Sequence, residues 1–287
     1  MPPDSHAILL IRCPDRPGIV AGISTFLYRH GANITDLDQH STDDDPGVYF
    51  MRLELQTAHL DLTLEDLKAA FSREVALPFH MEWQLEAAGA RKRIAVLVSK
   101  HDHVLMDLLW ECKRGDLAAE LLMVLSNHPD ARPAVESFGV PFHHVPNVKE
   151  KRAEAEAHML ALLGDRVQLV VLARYMQIVS PEFVAHFPNR IINIHHSFLP
   201  AFAGADPYRQ AFDRGVKIVG ATAHYVTAEL DGGPIIEQDV GRVTHRYGVA
   251  DLRRVGRELE RRVLIRAVKW HCEDRVIVHE NKTVVFA

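Results

Sequence analysis

Beyond residue 92, short apolar runs alternate with helical stretches, and that alternation leaves few folds open to the chain. Ile94–Val98, Leu121–Leu125, Leu169–Leu172 and Ile191–Ile194 have the length and branching of buried strands. Helical spacing fills the intervals around 104–114, 149–163 and 181–187. Strand and helix in repetition predict a mostly parallel sheet with both faces covered. An open sheet of this Rossmann-like kind receives ligands beyond the carboxyl ends of its strands.

The first 88 residues follow a different grammar. Ala7–Ile11 reads as a strand, and Cys13-Pro14-Asp15-Arg16-Pro17-Gly18 as a turn in which Asp15 is placed to cap a helix. Ile19, Ile23, Phe26 and Leu27 recur at helical spacing until Gly31. An extended segment from Ala32 to Gln39, the acidic turn Asp43–Gly47 and an alternating strand from Val48 to Leu55 follow. A second helix on Leu62, Leu64, Leu67 and Phe71 and a fourth strand on Phe79–Trp83 complete a ferredoxin-like βαββαβ unit. Residues 1–88 carry 6 basic and 14 acidic side chains, net −8, whereas residues 89–287 carry 27 and 24, net +3. Two domains are therefore expected, 1–88 and 89–287, joined through the small and charged residues Ala87–Lys92.

Several classes are excluded. With 47% apolar and 25% charged residues the 287-residue chain has globular composition. No apolar run reaches the ~18 residues of a membrane helix, and Met1–His6 lacks the order of a signal peptide. Cys13, Cys112 and Cys272 form neither a disulfide framework nor a zinc pattern, which suits a reducing cytoplasm. A net charge of −5 argues against a dedicated nucleic-acid binder. No GxGxxG segment is present, and adjacent His pairs point apart on a strand, so neither a nicotinamide cofactor nor a catalytic metal is expected.

Arg190–Pro200 concentrates the chemistry. The strand Ile191–Ile194 runs into polar residues, and alternation puts Asn193 and His195 on one face and His196 on the other. An amide donor and an imidazole at a strand's carboxyl end suit carbonyl chemistry; a buried pair that satisfies itself is the alternative. Thr222-x-His224 lies on a further strand, Val216–Val226, and Asp231-Gly232-Gly233-Pro234 is a loop where backbone can approach a ligand closely. The seven basic residues between Asp251 and Lys269 lie on a helix whose apolar positions recur at helical spacing, the pattern of a surface helix with one solvated face. A tRNA contact is the sharper alternative for that helix.

Taken together, Asn193-x-His195, the Ser197-x-Leu199-Pro200 tail, Thr222-x-His224 and Asp231-Gly232-Gly233-Pro234-Ile235-Ile236 resemble the folate-dependent formyltransferase family over residues 92–287. Cys13–Val20 and Gly31–Ile34 resemble an ACT domain. That pairing is the layout of the family's formyltetrahydrofolate deformylase branch, where His196 stands in place of the transferases' Pro. The resemblance implies that Asn193, His195 and Asp231 are catalytic and that 10-formyltetrahydrofolate is hydrolysed to formate and tetrahydrofolate. It implies that this supplies formate for purine synthesis and balances the one-carbon pool. It places the folate against Leu172, Met176, Gln177 and Ile178, with His224 in support and Gly232 and Gly233 letting backbone close in. Gln177 stands where related transferases often carry Arg, and Arg174 reads either as a ligand contact or as a surface charge. The ribonucleotide transferases cradle a phosphate on a Gly-rich loop after their first strand; here Val98–His103 holds no glycine, so water is the expected attacking group. An amine-directed transferase and an inactive amino-acid sensor are the alternatives. The resemblance implies an amino-acid effector near Asp15, Gly18, Asn33 and Ile34, at an interface within a homo-oligomer; a module that serves only as an oligomerisation surface is the alternative. No cofactor besides the folate substrate, no nucleic acid and no membrane are expected as partners.

Overall fold

The computed structural model describes residues 6–148, 151–200 and 207–287. The signal-peptide reading of Met1–Ser5 and the first residues of the 149–163 helix, Lys149 and Glu150, lie outside them. The chain forms two compact units.

The first unit contains β1 (His6–Pro14), a helix Ile19–Arg29, β2 (Asn33–Ser41), β3 (Val48–Gln56), a helix Leu64–Phe71 and β4 (Glu82–Ala87). Its sheet has the order β2-β3-β1-β4 with antiparallel neighbours, the expected ferredoxin-like arrangement. Alternate residues Ala7, Leu9, Ile11 and Cys13 of β1 and Tyr49, Met51, Leu53 and Leu55 of β3 share one buried face. Ile23, Phe26, Leu27, Leu67 and Phe71 of the two helices cover that face. Each fully buried side chain of this kind contributes about 1.5–3 kcal/mol.

Two local expectations are corrected. Asp15 does not cap the first helix: Gly18, at φ +95, occupies the N-cap, and the Asp15 N–H donates to the Gly47 carbonyl at 2.8 Å. The fourth strand starts three residues later than Phe79, because a π turn (Ser72–Ala76) and a short helical turn (Leu77–Phe79) prolong the second helix until His80 at φ +53. Phe79, Met81 and Trp83 all pack against the core. Their period-2 spacing imitates a strand although Phe79 reaches the core from a helical turn. The unit also takes in Glu273–Ile277 and Val284–Ala287 from the far end of the chain. Buried Arg52 anchors the first of these, donating from Nε to the Asp274 carbonyl at 3.2 Å.

The second unit, Arg91–Cys272 with Val278–Thr283, is built on a seven-stranded sheet. In chain order its strands are β5 (Lys92–Val98), β6 (Ala119–Ser126), β7 (Phe142–His144), β8 (Leu169–Ala173), β9 (Ile191–His195), β10 (Ile218–Tyr225) and β11 (Ile235–Arg242). The spatial order is β11-β10-β9-β8-β5-β6-β7; β5 to β9 are parallel, and β10 and β11 turn antiparallel at one edge. Ile94 to Val98 are fully buried, as a central strand covered on both faces requires. From β5 the chain builds outward through β6 and β7, then returns to place β8 on the other side of β5. This reversal opens a crevice at the carboxyl ends of β5 and β8. Buried Ser99 fixes the crevice floor: its hydroxyl donates to Asn127 Oδ1 at 2.7 Å and accepts from the Met176 N–H at 3.0 Å.

The long helix Val249–Cys272 buries Leu252, Leu259, Val263 and Ala267, as its spacing predicts. Its basic face is largely paired: Arg254 with Glu258, Arg261 with Asp107, Arg262 with Asp239 and Arg266 with Glu237. No described helix is long and apolar enough to cross a membrane.

Candidate active site

Asn193 and His195 lie two residues apart on β9, and the register of the neighbouring strands assembles the rest around them. Asn193 sits opposite Leu172 of β8 on one side and His224 of β10 on the other, and His195 sits opposite Thr222. Fully buried Thr222 holds the turn that follows His195, donating to the Ser197 carbonyl at 2.9 Å and accepting from the Leu199 N–H at 3.1 Å. Gln238 of β11 reinforces the turn with donors to Thr222 Oγ1 (2.9 Å) and the Leu199 carbonyl (3.1 Å).

Asp231 comes from the loop between β10 and β11 and stands at φ +54. Gly233 lets that loop close, since a Cβ there would lie 1.8 Å from the Tyr225 carbonyl oxygen. Gly233→Ala therefore has to displace backbone and should destabilise the protein by about 1–3 kcal/mol in a urea melt. Asp231 Oδ2 lies 3.3 Å from His195 Nδ1 and Oδ1 lies 3.6 Å from His224 Nε2. The hydrogen bond from His195, the largest influence, holds its pKa far below the usual carboxylate range against the opposing influence of burial.

Proton positions follow from what each partner can accept. The Tyr225 carbonyl, 2.9 Å from His224 Nδ1, only accepts, so that nitrogen carries a proton. The Asn193 amide then donates to His224 Nε2 at 3.2 Å and keeps a second N–H for another acceptor. Ionised Asp231 likewise places a proton on His195 Nδ1. His195 Nε2 has no protein partner among the described residues. A buried imidazole with its far nitrogen unengaged and its near nitrogen fixed by a carboxylate is equipped to exchange a proton.

The folded pKa of Asp231 lies below its unfolded value, near 3.8. The associated stabilisation is present above that unfolded value and is lost as pH falls through the folded one. The stability gap between the wild type and Asp231→Asn should thus be widest at neutral pH and narrow below pH 3.8. A gap that widens on acidification would contradict the arrangement.

These side chains line a cleft of about 350 Å³, within the size range of small-molecule sites. Leu172, Met176, Gln177, Ile178, Asn193, His195, His224 and Asp231 all line it. Met176 and Ile178 are 56% and 58% exposed and present apolar surface at the cleft. Gly232 and Gly233 are not among the lining residues; Gly232 instead offers its carbonyl to Asn281 Nδ2 at 2.9 Å. Arg174, read as either a ligand contact or a surface charge, is largely buried and lines the cleft. Among the described residues no group of three or more His, Cys, Asp or Glu is placed to hold a metal ion. In the first unit, Asp15 and Gly18 line a separate cavity of about 360 Å³ with Arg16, Gln39 and Tyr49, whereas Asn33 and Ile34 do not.

Sequence reasoning missed Gln238, Tyr208, His103 and Glu260. The last three form a buried cluster beside the cleft, with Tyr208 OH donating to Glu260 Oε1 at 2.7 Å and His103 Nε2 at 2.8 Å from Glu260 Oε2.

Known proteins place this geometry in a lineage. Residues 92–268 match the formyl transferase family and residues 7–72 the ACT domain. The chain is 54% identical to the formyltetrahydrofolate deformylase of Bacillus subtilis (strain 168) over 279 residues, which is 97% of this chain and 93% of that one. It superposes on the crystal structure of a formyltetrahydrofolate deformylase from Pseudomonas syringae pv. tomato with a TM-score of 0.95 at 45% identity, covering 98% of this chain and 94% of the other. Glycinamide ribonucleotide transformylase 1 from Symbiobacterium toebii matches 69% of this chain and 96% of its own, with a TM-score of 0.65 at 34% identity. The similarity to deformylases runs through both units and not the second alone, and by that measure the chain belongs to the formyltetrahydrofolate deformylase family.

Proposed function

We propose that the chain hydrolyses 10-formyltetrahydrofolate, releasing formate and tetrahydrofolate. The observation that carries this reading is the Asp231 carboxylate between His195 and His224, with Asn193 beside them in one cleft. Water adds to the formyl carbon, and negative charge develops on the formyl oxygen. His195 Nε2 takes the water's proton; Asp231 keeps the ring oriented and favours the imidazolium that results. The free N–H of Asn193 donates to the oxyanion. Collapse breaks the carbon–nitrogen bond, the imidazolium returns its proton to the folate nitrogen, and the formic acid that remains loses the water's second proton to solvent and departs as formate.

Met176 and Ile178 are the apolar wall for the folate ring. Met176→Ala should raise KM about 3- to 10-fold, as expected for partial loss of one buried side chain, with kcat changed less. A rise in neither parameter would remove Met176 from the folate wall.

The absence of glycine from Val98–His103 and the family membership both favour water over an amine as the acceptor. Incubation with 10-formyltetrahydrofolate and no acceptor should give formate and tetrahydrofolate in equal amounts. Tetrahydrofolate formed without formate, and only when an amine is added, would support a transferase instead.

Formate from such a reaction in the cytoplasm serves purine synthesis and balances the one-carbon pool. The ACT unit takes a single amino acid at the Asp15 and Gly18 cavity, within a homo-oligomer. Calorimetry with individual amino acids tests this, and no heat with any of them would leave the unit an assembly module.

A further inference from the structure

The cleft holds a charge that the hydrolysis leaves unused. Arg174 follows β8 at φ +60, a left-handed conformation that few non-glycine residues adopt. Its side chain is only 10% exposed and lines the cleft with His195 and His196. It is the one Lys or Arg among the described residues that line the cleft. Nε and Nη1 have no hydrogen-bond partner among the described residues. Glu260, 1% exposed, comes within 3.6 Å of Nε, beyond hydrogen-bond reach, and its two oxygens are already engaged by His103 and Tyr208. Burial first and the Arg174 charge second push His196 down to about 4 and lower His101 as well. His196 is therefore neutral near pH 7, and the permanent cation among the cleft-lining residues is Arg174.

A buried guanidinium with idle donors is costly until something accepts from them. The group that suits it is a small anion with carboxylate geometry. We propose that Arg174 forms a receiving site for a small carboxylate, the formate produced in the same cleft. The proposal rests on the deformylase reading. The formyl group of the substrate is a neutral amide. Once the water oxygen has bonded to its carbon and the carbon–nitrogen bond has broken, the folate nitrogen holds one of the water's protons, the other has left to solvent, and the fragment carries a full negative charge. Arg174 thus attracts the released formate and not the neutral formyl group it came from, and draws formate away from Asn193 and His195.

The test is a titration of the full-length protein with ¹³C-formate followed by NMR line broadening, with chloride at matched ionic strength. Saturable broadening is expected with the wild type. Arg174→Gln should weaken binding about 10-fold or more, the scale of a lost charge-assisted hydrogen bond. Arg174→Lys should fall between them, and it carries the test if Arg174→Gln does not fold. Unchanged affinity in the variants, or no saturable binding by the wild type, overturns the proposal. A wild type that binds formate through Arg174 yet releases none from 10-formyltetrahydrofolate would sink the deformylase reading alone. An active enzyme whose formate affinity ignores Arg174 would sink this one alone.

Discussion

His195→Ala is expected to lower kcat for 10-formyltetrahydrofolate by roughly 10²–10⁴-fold, the usual worth of a positioned acid–base group. KM should move far less, because the ring works on the water and not on the folate. The fold should survive. His195 ends β9, and the ladder pairing that holds the strand to β10 is made by backbone. Asp231 keeps its approach to His224. The variant should therefore melt within a few degrees of the wild type and still bind folate. Near-normal turnover would remove His195 from the chemistry.

Asn193→Ala should cost about 10²–10³-fold in kcat, the range for one oxyanion donor. The oxyanion exists only as the reaction proceeds, so the loss falls on kcat and kcat/KM together. Asn193 also donates to His224 Nε2. Its removal leaves that buried nitrogen unpaired, which adds about 1–3 kcal/mol of destabilisation. His224→Ala separates the two effects, because it removes the structural partner and leaves the Asn193 amide in place. If His224→Ala costs as much activity as Asn193→Ala, the oxyanion role is not the main one.

Much of this site is readable along the chain because its parts are local. Asn193 and His195 share a strand face by simple alternation, and Asp231 announces itself through the Gly-Gly-Pro loop after it. Asp231 and His224 belong together because they flank one short connection. The parts that were not readable come together only through the fold. His103 and Glu260 are 157 positions apart, and Tyr208 and Glu260 are 52 apart. Glu260 also sits in a helix dominated by arginines, where a carboxylate reads as part of a solvated face; helical spacing turns it onto the buried side instead. Arg174 is ambiguous for a similar reason. A charge one residue past a buried strand can point to solvent or into a cleft, and its positive φ, which decides the direction, leaves no mark in the sequence. In the first unit the strand at Phe79 misled because Phe79 joins the period-2 apolar spacing of Met81 and Trp83 from a short helical turn, not from a pleat.

The central claim is that water attacks the formyl carbon in this cleft, and a single turnover in H₂¹⁸O with no acceptor tests it most directly. Formate released by hydrolysis should carry one ¹⁸O atom, with tetrahydrofolate formed in equal amount. Formate without label, or no formate until an amine is supplied, would contradict it.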